Sequence, residues 1–375
     1  MKGKPVIPPV HLTATYKFDK SDDLIDVVQN RSGYIYSRWD NPSVVEVENR
    51  LAVMEGYDKA LGFGSGMAAI TTAILANIKA GNRVVATQEV YGGTYEFLND
   101  ILPKLNIETA LVNCWKTEQI IEEIEKGASI LYLETPTNPL LRVADIKPLA
   151  QAAHKRGAKV MLDSTFASPI NQHPIDLGVD IVVHSATKYL GGHHDITAGF
   201  VCCNHPDFDN IWTYRKILGG VMDPMSAFLI LRGIQTLELR IQRHNENAMK
   251  IAVYLDQHEK IKAVNYPGLT SHPDHEIARR QMLGFGGMLS FEVNGDFDQT
   301  KHFMDELKII KLATSLGGVT SLANQPITNT HAALSPENRA KAGISESLVR
   351  LSVGVEQVDS LIHDLKQALE TVQPG

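Results

Sequence analysis

Short apolar runs alternate with stretches of helical periodicity along most of the chain. Runs rich in Val, Ile and Leu predict strands at residues 83–87, 108–112, 129–134, 159–164, 181–185 and 199–203. Helical spacing lies between most of them, for example over residues 145–156, where Gly157 ends the helix. Strands separated by helices imply a mostly parallel sheet with helices on both faces.

The pattern divides the chain into three parts. Residues 1–42 show few helical repeats and contain several prolines, which predicts an extended N-terminal arm. Helices are predicted at 43–55 and from Gly64-Ser65-Gly66 to 78, and the alternating region continues to about 240 as a large domain. After a helical stretch over 224–254, strands at 261–266, 288–293, 308–313 and 348–353 and a helix at 358–370 predict a smaller C-terminal α/β domain, residues 241–375.

Composition narrows the class of partner. The chain has 375 residues and a net charge of −7, without a Lys/Arg-rich run, which argues against nucleic acid or an anionic membrane. Its first residues lack an apolar signal core, and no apolar run is long enough to span a bilayer. Cys114, Cys202 and Cys203 form neither a disulfide framework nor a metal-ligand spacing, so we expect a reducing compartment, the cytoplasm.

The segment V-V-H-S-A-T-K-Y-L-G-G, residues 182–192, carries the main chemical signal. It places Lys188 directly after an apolar strand, where desolvation lowers the lysine pKa and favours attack on an aldehyde. Ser185 and Thr187 offer hydroxyls to a phosphate, and pyridoxal phosphate (PLP) is an aldehyde that carries one. Taken alone, the segment is equally compatible with a strand-end lysine in water.

Other polar residues fall at the carboxyl ends of predicted strands, where ligands bind in open α/β sheets. Asp163 would pair with a protonated pyridine nitrogen, or serve as a helix cap. The turn Gly64–Met67 precedes a helix whose free N–H groups suit a phosphate, although most such turns are only turns. Tyr91 would stack on a flat ring and move protons, or simply pack at a helix start, and Asn138 would bond a ring oxygen.

Two arginines and two clusters of histidines are further candidates for ligand binding. Arg350 interrupts the apolar run L-V-R-L-S-V, which is costly unless it meets a substrate carboxylate or a buried acid. Tyr36 and Arg38 lie in the arm. The arginine suits bidentate binding of a phosphate, and the arm would carry it to a neighbouring subunit; the alternative is a solvated side chain without a ligand. The histidine clusters at 193–194 and 272–275 lack a metal-ligand arrangement, so no metal site is predicted.

Six motifs together closely resemble the Cys/Met-metabolism PLP-dependent enzymes. This family includes cystathionine γ-synthase, cystathionine γ- and β-lyases, methionine γ-lyase and homoserine-ester sulfhydrylases. The motifs are Y-S-R at 36–38, S-G-M-A-A at 65–69, Y-G-G-T at 91–94, E-T-P-T-N-P at 134–139, H-S-A-T-K-Y-L-G-G-H at 184–193 and R-L-S-V-G-V-E at 350–356. The resemblance covers nearly the whole chain and implies the aminotransferase-like α/β fold (fold type I), with PLP bound in the large domain, residues 43–240.

The resemblance also implies residue roles. Lys188 would hold PLP as a Schiff base and shuttle protons, Asp163 would pair with the pyridine nitrogen, and Tyr91 would stack on the ring and assist proton transfer. The phosphate would be held by Gly66, Met67, Ser185 and Thr187, with Tyr36 and Arg38 from the partner subunit of a catalytic dimer. The substrate carboxylate would be bound by Arg350, Asn138 and Ser315. The expected assembly is a homotetramer, and the expected ligand is a small sulfur-containing amino acid.

Departures from the family pattern bear on the reaction. Trp39, Glu96 and Thr320 stand where various members carry Arg, Arg and Glu, so the distal pocket is short of cations for a succinyl group or second carboxylate. Gly93 replaces a cysteine typical of many methionine γ-lyases. By elimination we expect a carbon–sulfur lyase that acts on L-cystathionine by β- or γ-elimination, although cystathionine also has a second amino-acid end. The alternatives are γ-replacement, as in cystathionine γ-synthase or a homoserine-ester sulfhydrylase, and a non-catalytic scaffold of the same fold.

Overall fold

A seven-stranded sheet organises the first half of the chain. The computed structural model describes residues 5–328, 337, 339 and 343–372. The strands are β1 (Lys59–Phe63), β2 (Arg83–Thr87), β3 (Glu108–Val112), β4 (Ile130–Glu134), β5 (Lys159–Asp163), β6 (Ile181–Ser185) and β7 (Gly199–Cys203), in the spatial order β1-β7-β6-β5-β4-β2-β3. β7 runs opposite to the other six strands and pairs antiparallel with β1 and β6, and the remaining pairs are parallel, so the predicted mostly parallel sheet is confirmed.

Helices cover both faces of this sheet, as its wholly buried central strands require. The α-helices that precede, connect or directly follow these strands are α1 (Ser21–Asn30), α2 (Pro42–Glu55), α3 (Gly66–Ala76), α4 (Gly92–Glu96), α5 (Thr117–Glu125), α6 (Ile146–Lys155), α7 (Ser168–Asn171) and α8 (His205–Leu218). One core cluster joins α2, α5 and α6 to the sheet, and a second joins α3 and α8 to the opposite face. A π-helical turn at Phe97–Ile101 and 3-10 turns at Leu102–Leu105 and Pro174–Leu177 lie between these elements.

A second, five-stranded sheet follows. It is built from β8 (Ile261–Asn265), β9 (Met288–Val293), β10 (Lys311–Leu312), β11 (Leu322–Asn324) and β12 (Leu348–Ser352), in the order β10-β11-β12-β9-β8. Apart from the β10–β11 pair its strands are antiparallel. Its core packs against α10 (Leu237–Asp256), α12 (Phe297–Asp305) and α13 (Val358–Glu370). Further helical elements of this part of the chain are α9 (Pro224–Ile234), α11 (His275–Gln281) and a 3-10 turn at Pro326–Thr328.

Three predictions change in detail. The arm is not wholly extended, because α1 forms where residues 21–30 are free of proline and carry Asp22 and Asp23 in the first turn. The stretch predicted as one helix over 224–254 is two helices, α9 and α10. The strand predicted at 308–313 shortens to β10. The division at residue 240 stays a prediction, and α10 runs across it.

None of the helices among the described residues is long and apolar enough to cross a lipid bilayer.

Candidate active site

The carboxyl ends of β4, β5 and β6 lie side by side and form the floor of the site. Glu134 at the end of β4 is in register with Asp163 at the end of β5. The first residue of α3, Gly66, lies against Ser185 at the end of β6. A Cβ on Gly66 would come within 2.9 Å of the Ser185 Cβ. The amino end of an eleven-residue helix therefore packs directly against the strand end that precedes Lys188.

Lys188 lies in the turn after β6 and is half-buried. Its Nζ donates a hydrogen bond to Ser315 Oγ at 2.9 Å. Burial, and secondarily the charge of Arg350, lower the pKa of Lys188 to about 8. The backbone beside Lys188 is tightly packed. Gly317 has a left-handed φ of 75°, and a Cβ at this position would lie 2.8 Å from the Tyr189 nitrogen. The site thus presents a lysine amine that is partly neutral near physiological pH.

Asp163 and Glu134 form a pair of buried carboxylic groups, each with 6% of its surface exposed. Asp163 Oδ1 accepts the N–H of Thr165 at 3.0 Å, and burial raises the Asp163 pKa against the effect of this hydrogen bonding. Glu134 Oε2 accepts the N–H of Tyr91 at 2.7 Å. The Glu134 pKa lies well above its ordinary value because of burial and the nearby Asp163. Sequence reasoning assigned Glu134 no role, although an acid that ends the apolar run I-L-Y-L-E was a usable signal.

Tyr91 lies at the start of α4 and is 48% exposed. Its ring is close to Gly93, where an added Cβ would be 3.0 Å from Tyr91 Cε1 and 3.1 Å from Met67 Sδ. Tyr91, Gly93 and Met67 therefore lie together beside the amino end of α3. A larger side chain at position 93 would press on both neighbours.

Arg350 lies on β12 and has only 3% of its surface exposed. Its Nη1 donates to Asn138 Oδ1 at 3.2 Å, and its Nη2 donates to the Ser315 carbonyl at 3.0 Å. Its Nε has no hydrogen-bond partner. Burial lowers the Arg350 pKa to about 10, and among the described residues no carboxylate pairs with it. This buried, uncompensated cation is a suitable receptor for a carboxylate ligand.

Other predicted residues are placed less directly. The Thr187 hydroxyl accepts the Ala198 N–H at 3.0 Å and donates to the Ala198 carbonyl, so backbone bonds already engage it. Arg38 is exposed and donates to the Lys216 carbonyl on α8, with its guanidinium 5.6 Å from the Tyr36 ring centre. Within the described chain neither Tyr36 nor Arg38 contacts Lys188 through a hydrogen bond.

The residues fit PLP on structural grounds. Gly66 places no side chain at the amino end of α3, where Ser65 Oγ caps the Ala68 N–H at 3.1 Å. The helix start itself, with the N–H groups of Gly66 and Met67, suits a phosphate. Asp163 is a buried acid that lacks a cationic side-chain partner among the described residues, which suits a protonated ring nitrogen. In the part of the chain that the structure describes, no group of three or more His, Cys, Asp or Glu side chains is arranged to hold a metal ion.

The fold and this site define a PLP-dependent enzyme of the aminotransferase-like α/β class. The chain belongs to the Cys/Met metabolism PLP-dependent enzyme family, whose model matches residues 2–370. The predicted family, fold class and cofactor are thereby confirmed.

Several relatives are similar along the whole chain. Cystathionine gamma-synthase 1, chloroplastic, of Arabidopsis thaliana is 42% identical over 98% of this chain, which spans 66% of that protein, slightly under two thirds. Cystathionine gamma-lyase of Bacillus subtilis is 40% identical, over 97% of this chain and 94% of the relative. The structure of cystathionine gamma synthase from Xanthomonas oryzae pv. oryzae in complex with cystathionine matches with a TM-score of 0.93 and 37% identity, over 98% of this chain and 93% of that one.

Proposed function

We propose that this protein is a PLP-dependent carbon–sulfur lyase that eliminates from L-cystathionine by β- or γ-elimination. The observation that carries the proposal is the arrangement around Ser315. Its Oγ accepts from the Lys188 amine, and its carbonyl accepts from the Arg350 guanidinium. An amino acid whose carboxylate binds Arg350 would therefore bring its Cα towards Lys188.

Five residues at the strand ends, the start of α3 and the turn after β6 would hold the cofactor. Asp163 would pair with the ring nitrogen, and Lys188 would form the covalent link. Gly66 and Met67 at the amino end of α3, with Ser185, would bind the phosphate through N–H and hydroxyl groups. Thr187 would also contribute from the turn that carries Lys188, where its hydroxyl accepts a hydrogen bond from the Ala198 N–H.

Tyr36 and Arg38 would complete the phosphate site of a second copy of the chain. They are exposed and lie in the arm, which supports the proposal of a catalytic dimer and, by pairing of dimers, a homotetramer.

Bound PLP would supply an electron sink that stabilises negative charge at the substrate Cα. Lys188 would take the Cα proton, since its lowered pKa keeps part of the amine neutral and basic. Arg350 and Asn138 would fix the carboxylate and so orient the Cα–H bond. Tyr91, at the exposed side of the site, would deliver a proton to the departing sulfur.

The distal pocket supports elimination over replacement on a succinyl ester. Trp39 packs edge-on against Trp212, with ring centres 6.0 Å apart, so position 39 is used for packing within its own chain. Glu96 is exposed and acidic, and Thr320 is uncharged. γ-Replacement on an acetylated homoserine is the second candidate, because a relative with 42% identity is named as a γ-synthase.

We further propose that the protein works in the cytoplasm. Cys114, Cys202 and Cys203 are all buried free thiols, as expected of a chain kept in a reducing compartment.

The test is to purify the protein, record the visible absorbance of bound PLP, add L-cystathionine and identify the products. Pyruvate with homocysteine identifies β-elimination, and 2-oxobutyrate with cysteine identifies γ-elimination. The Lys188→Ala variant is the matched control and should fold without turnover. A PLP-loaded protein that leaves cystathionine intact but joins cysteine to acetylhomoserine would replace the lyase proposal with the γ-replacement one.

A further inference from the structure

Glu134 and Asp163 are adjacent carboxylic groups that share one buried environment. They are partners in the β4–β5 register, and side chains at such paired positions point to the same face of a parallel sheet. Each has 6% of its surface exposed. Two carboxylates buried at adjacent positions lose hydration and repel each other, and both effects favour a proton on one of them.

The hydrogen bonds indicate which acid carries that proton. Asp163 accepts from the N–H of Thr165, and this hydrogen bonding favours its ionised form. Glu134 accepts from one donor, the Tyr91 N–H, and faces Asp163, Glu89 and the phenol of Tyr132. Glu134 is therefore the better site for the proton, and burial correspondingly raises its pKa well above the usual range.

The same hydrogen bond ties Tyr91 to the sheet. Tyr91 caps the five-residue helix α4 and makes no side-chain capping bond there. The bond from its N–H to Glu134 Oε2, at 2.7 Å, links the start of α4 to the end of β4. Loss of this link would release the start of α4 and so move the Tyr91 ring, which lies close to Gly93.

We propose that Glu134 is a positioning residue that acts as a neutral acid: it keeps the negative charge of the pair on Asp163 and fixes Tyr91 through its backbone N–H. The inference rests on the proposed roles of Asp163 and Tyr91. It predicts that position 134 needs a neutral hydrogen-bond acceptor of this length and does not need a charge. Gln meets that requirement, whereas Ala does not.

The first test needs neither cofactor nor substrate. An infrared difference spectrum of the apoprotein near pH 7, wild type minus Glu134→Gln, should contain the C=O stretch of a protonated carboxylic acid. A difference spectrum that instead contains carboxylate stretches would show that Glu134 is ionised and would overturn the proposal, whatever reaction the enzyme catalyses.

The second test separates positioning from simple stability. Glu134→Gln should keep PLP affinity, kcat and the pH profile of kcat/KM within about twofold of wild type, whereas Glu134→Ala should lower kcat by about tenfold or more. In a double-mutant cycle with Tyr91→Phe, which retains the backbone N–H, the effect of Glu134→Ala on kcat should shrink, because both changes act on one ring. A tenfold loss of PLP affinity in Glu134→Gln, or full additivity in the cycle, would refute the role. If Glu134→Ala does not fold, the Gln variant alone decides.

Discussion

The lowered pKa of Lys188 predicts how the apoprotein should capture PLP. Burial and the charge of Arg350 lower this pKa from 10.5 to about 8. At about pH 7.5 roughly a quarter of the Lys188 amine is then neutral, compared with about 0.1% of an ordinary lysine. The fraction of the nucleophilic, neutral form is therefore roughly 200-fold larger. The difference corresponds to about 3 kcal/mol of destabilisation of the ammonium form in the folded protein.

The assay is a pH series of covalent capture. Apoprotein is mixed with PLP, the product is reduced with borohydride at set times, and the modified lysine is located by peptide mass spectrometry. The rate constant at Lys188 should rise with pH to a plateau, with a midpoint near pH 8.

Two variants test the cause of the lowered Lys188 pKa and the site of the PLP adduct. Arg350→Met removes the second cause of the shift, so its midpoint should move upwards, while the Lys188→Arg control should give no adduct at that position. A wild-type rate that continues to rise beyond about pH 10, as for an ordinary lysine, would refute the argument.

Three further changes test the site and its support. Arg350→Lys keeps the positive charge but loses the planar guanidinium, so steady-state kinetics should show a KM for the amino acid about 10- to 100-fold higher, with a smaller change in kcat. An unchanged KM would contradict carboxylate binding at Arg350. Gly66→Ala should push α3 away from the end of β6 and so weaken PLP binding about tenfold, as measured by equilibrium dialysis. A variant that binds PLP as tightly as wild type would show that the close approach of Gly66 to Ser185 is unimportant for binding. Arg142→Ala leaves the buried Asp274 without its bidentate partner and should lower the unfolding free energy by about 3 kcal/mol in urea titration. The control Arg279→Ala removes an exposed ion pair and should leave the unfolding free energy unchanged, and equal effects of the two variants would contradict this expectation.

Most of the sheet could be predicted from the sequence because its strands are buried on both faces. Runs such as I-V-V-H-S of β6 and G-F-V-C-C of β7 are continuous apolar segments that end where the structure ends them. β1 and β11 were not predicted. β1 is an edge strand with a glycine in its five residues, and β11 has only three residues, so neither gives a period that can be read.

The candidate site was predictable to the extent that it depends on strand ends. Lys188 and Asp163 directly follow or end apolar strands, and this rule places them together. The bond from Tyr91 to Glu134 joins residues 43 positions apart through a backbone N–H, and no sequence pattern encodes such a contact. The commitment of the Thr187 hydroxyl to Ala198 likewise depends on the path of the loop before β7.

The contact of Ser315 with both Lys188 and Arg350 has a consequence for how this protein can be redesigned. Lys188 comes from the first sheet, whereas Arg350 and Ser315 come from the second sheet and its loops. In the proposed function, the amine that takes the proton and the guanidinium that binds the substrate carboxylate therefore come from different sheets and meet at one serine. An engineer could therefore vary the segments that follow Ser315 in the second sheet to change how the ligand is held, provided that Ser315 itself is kept, because it also contacts the reactive amine.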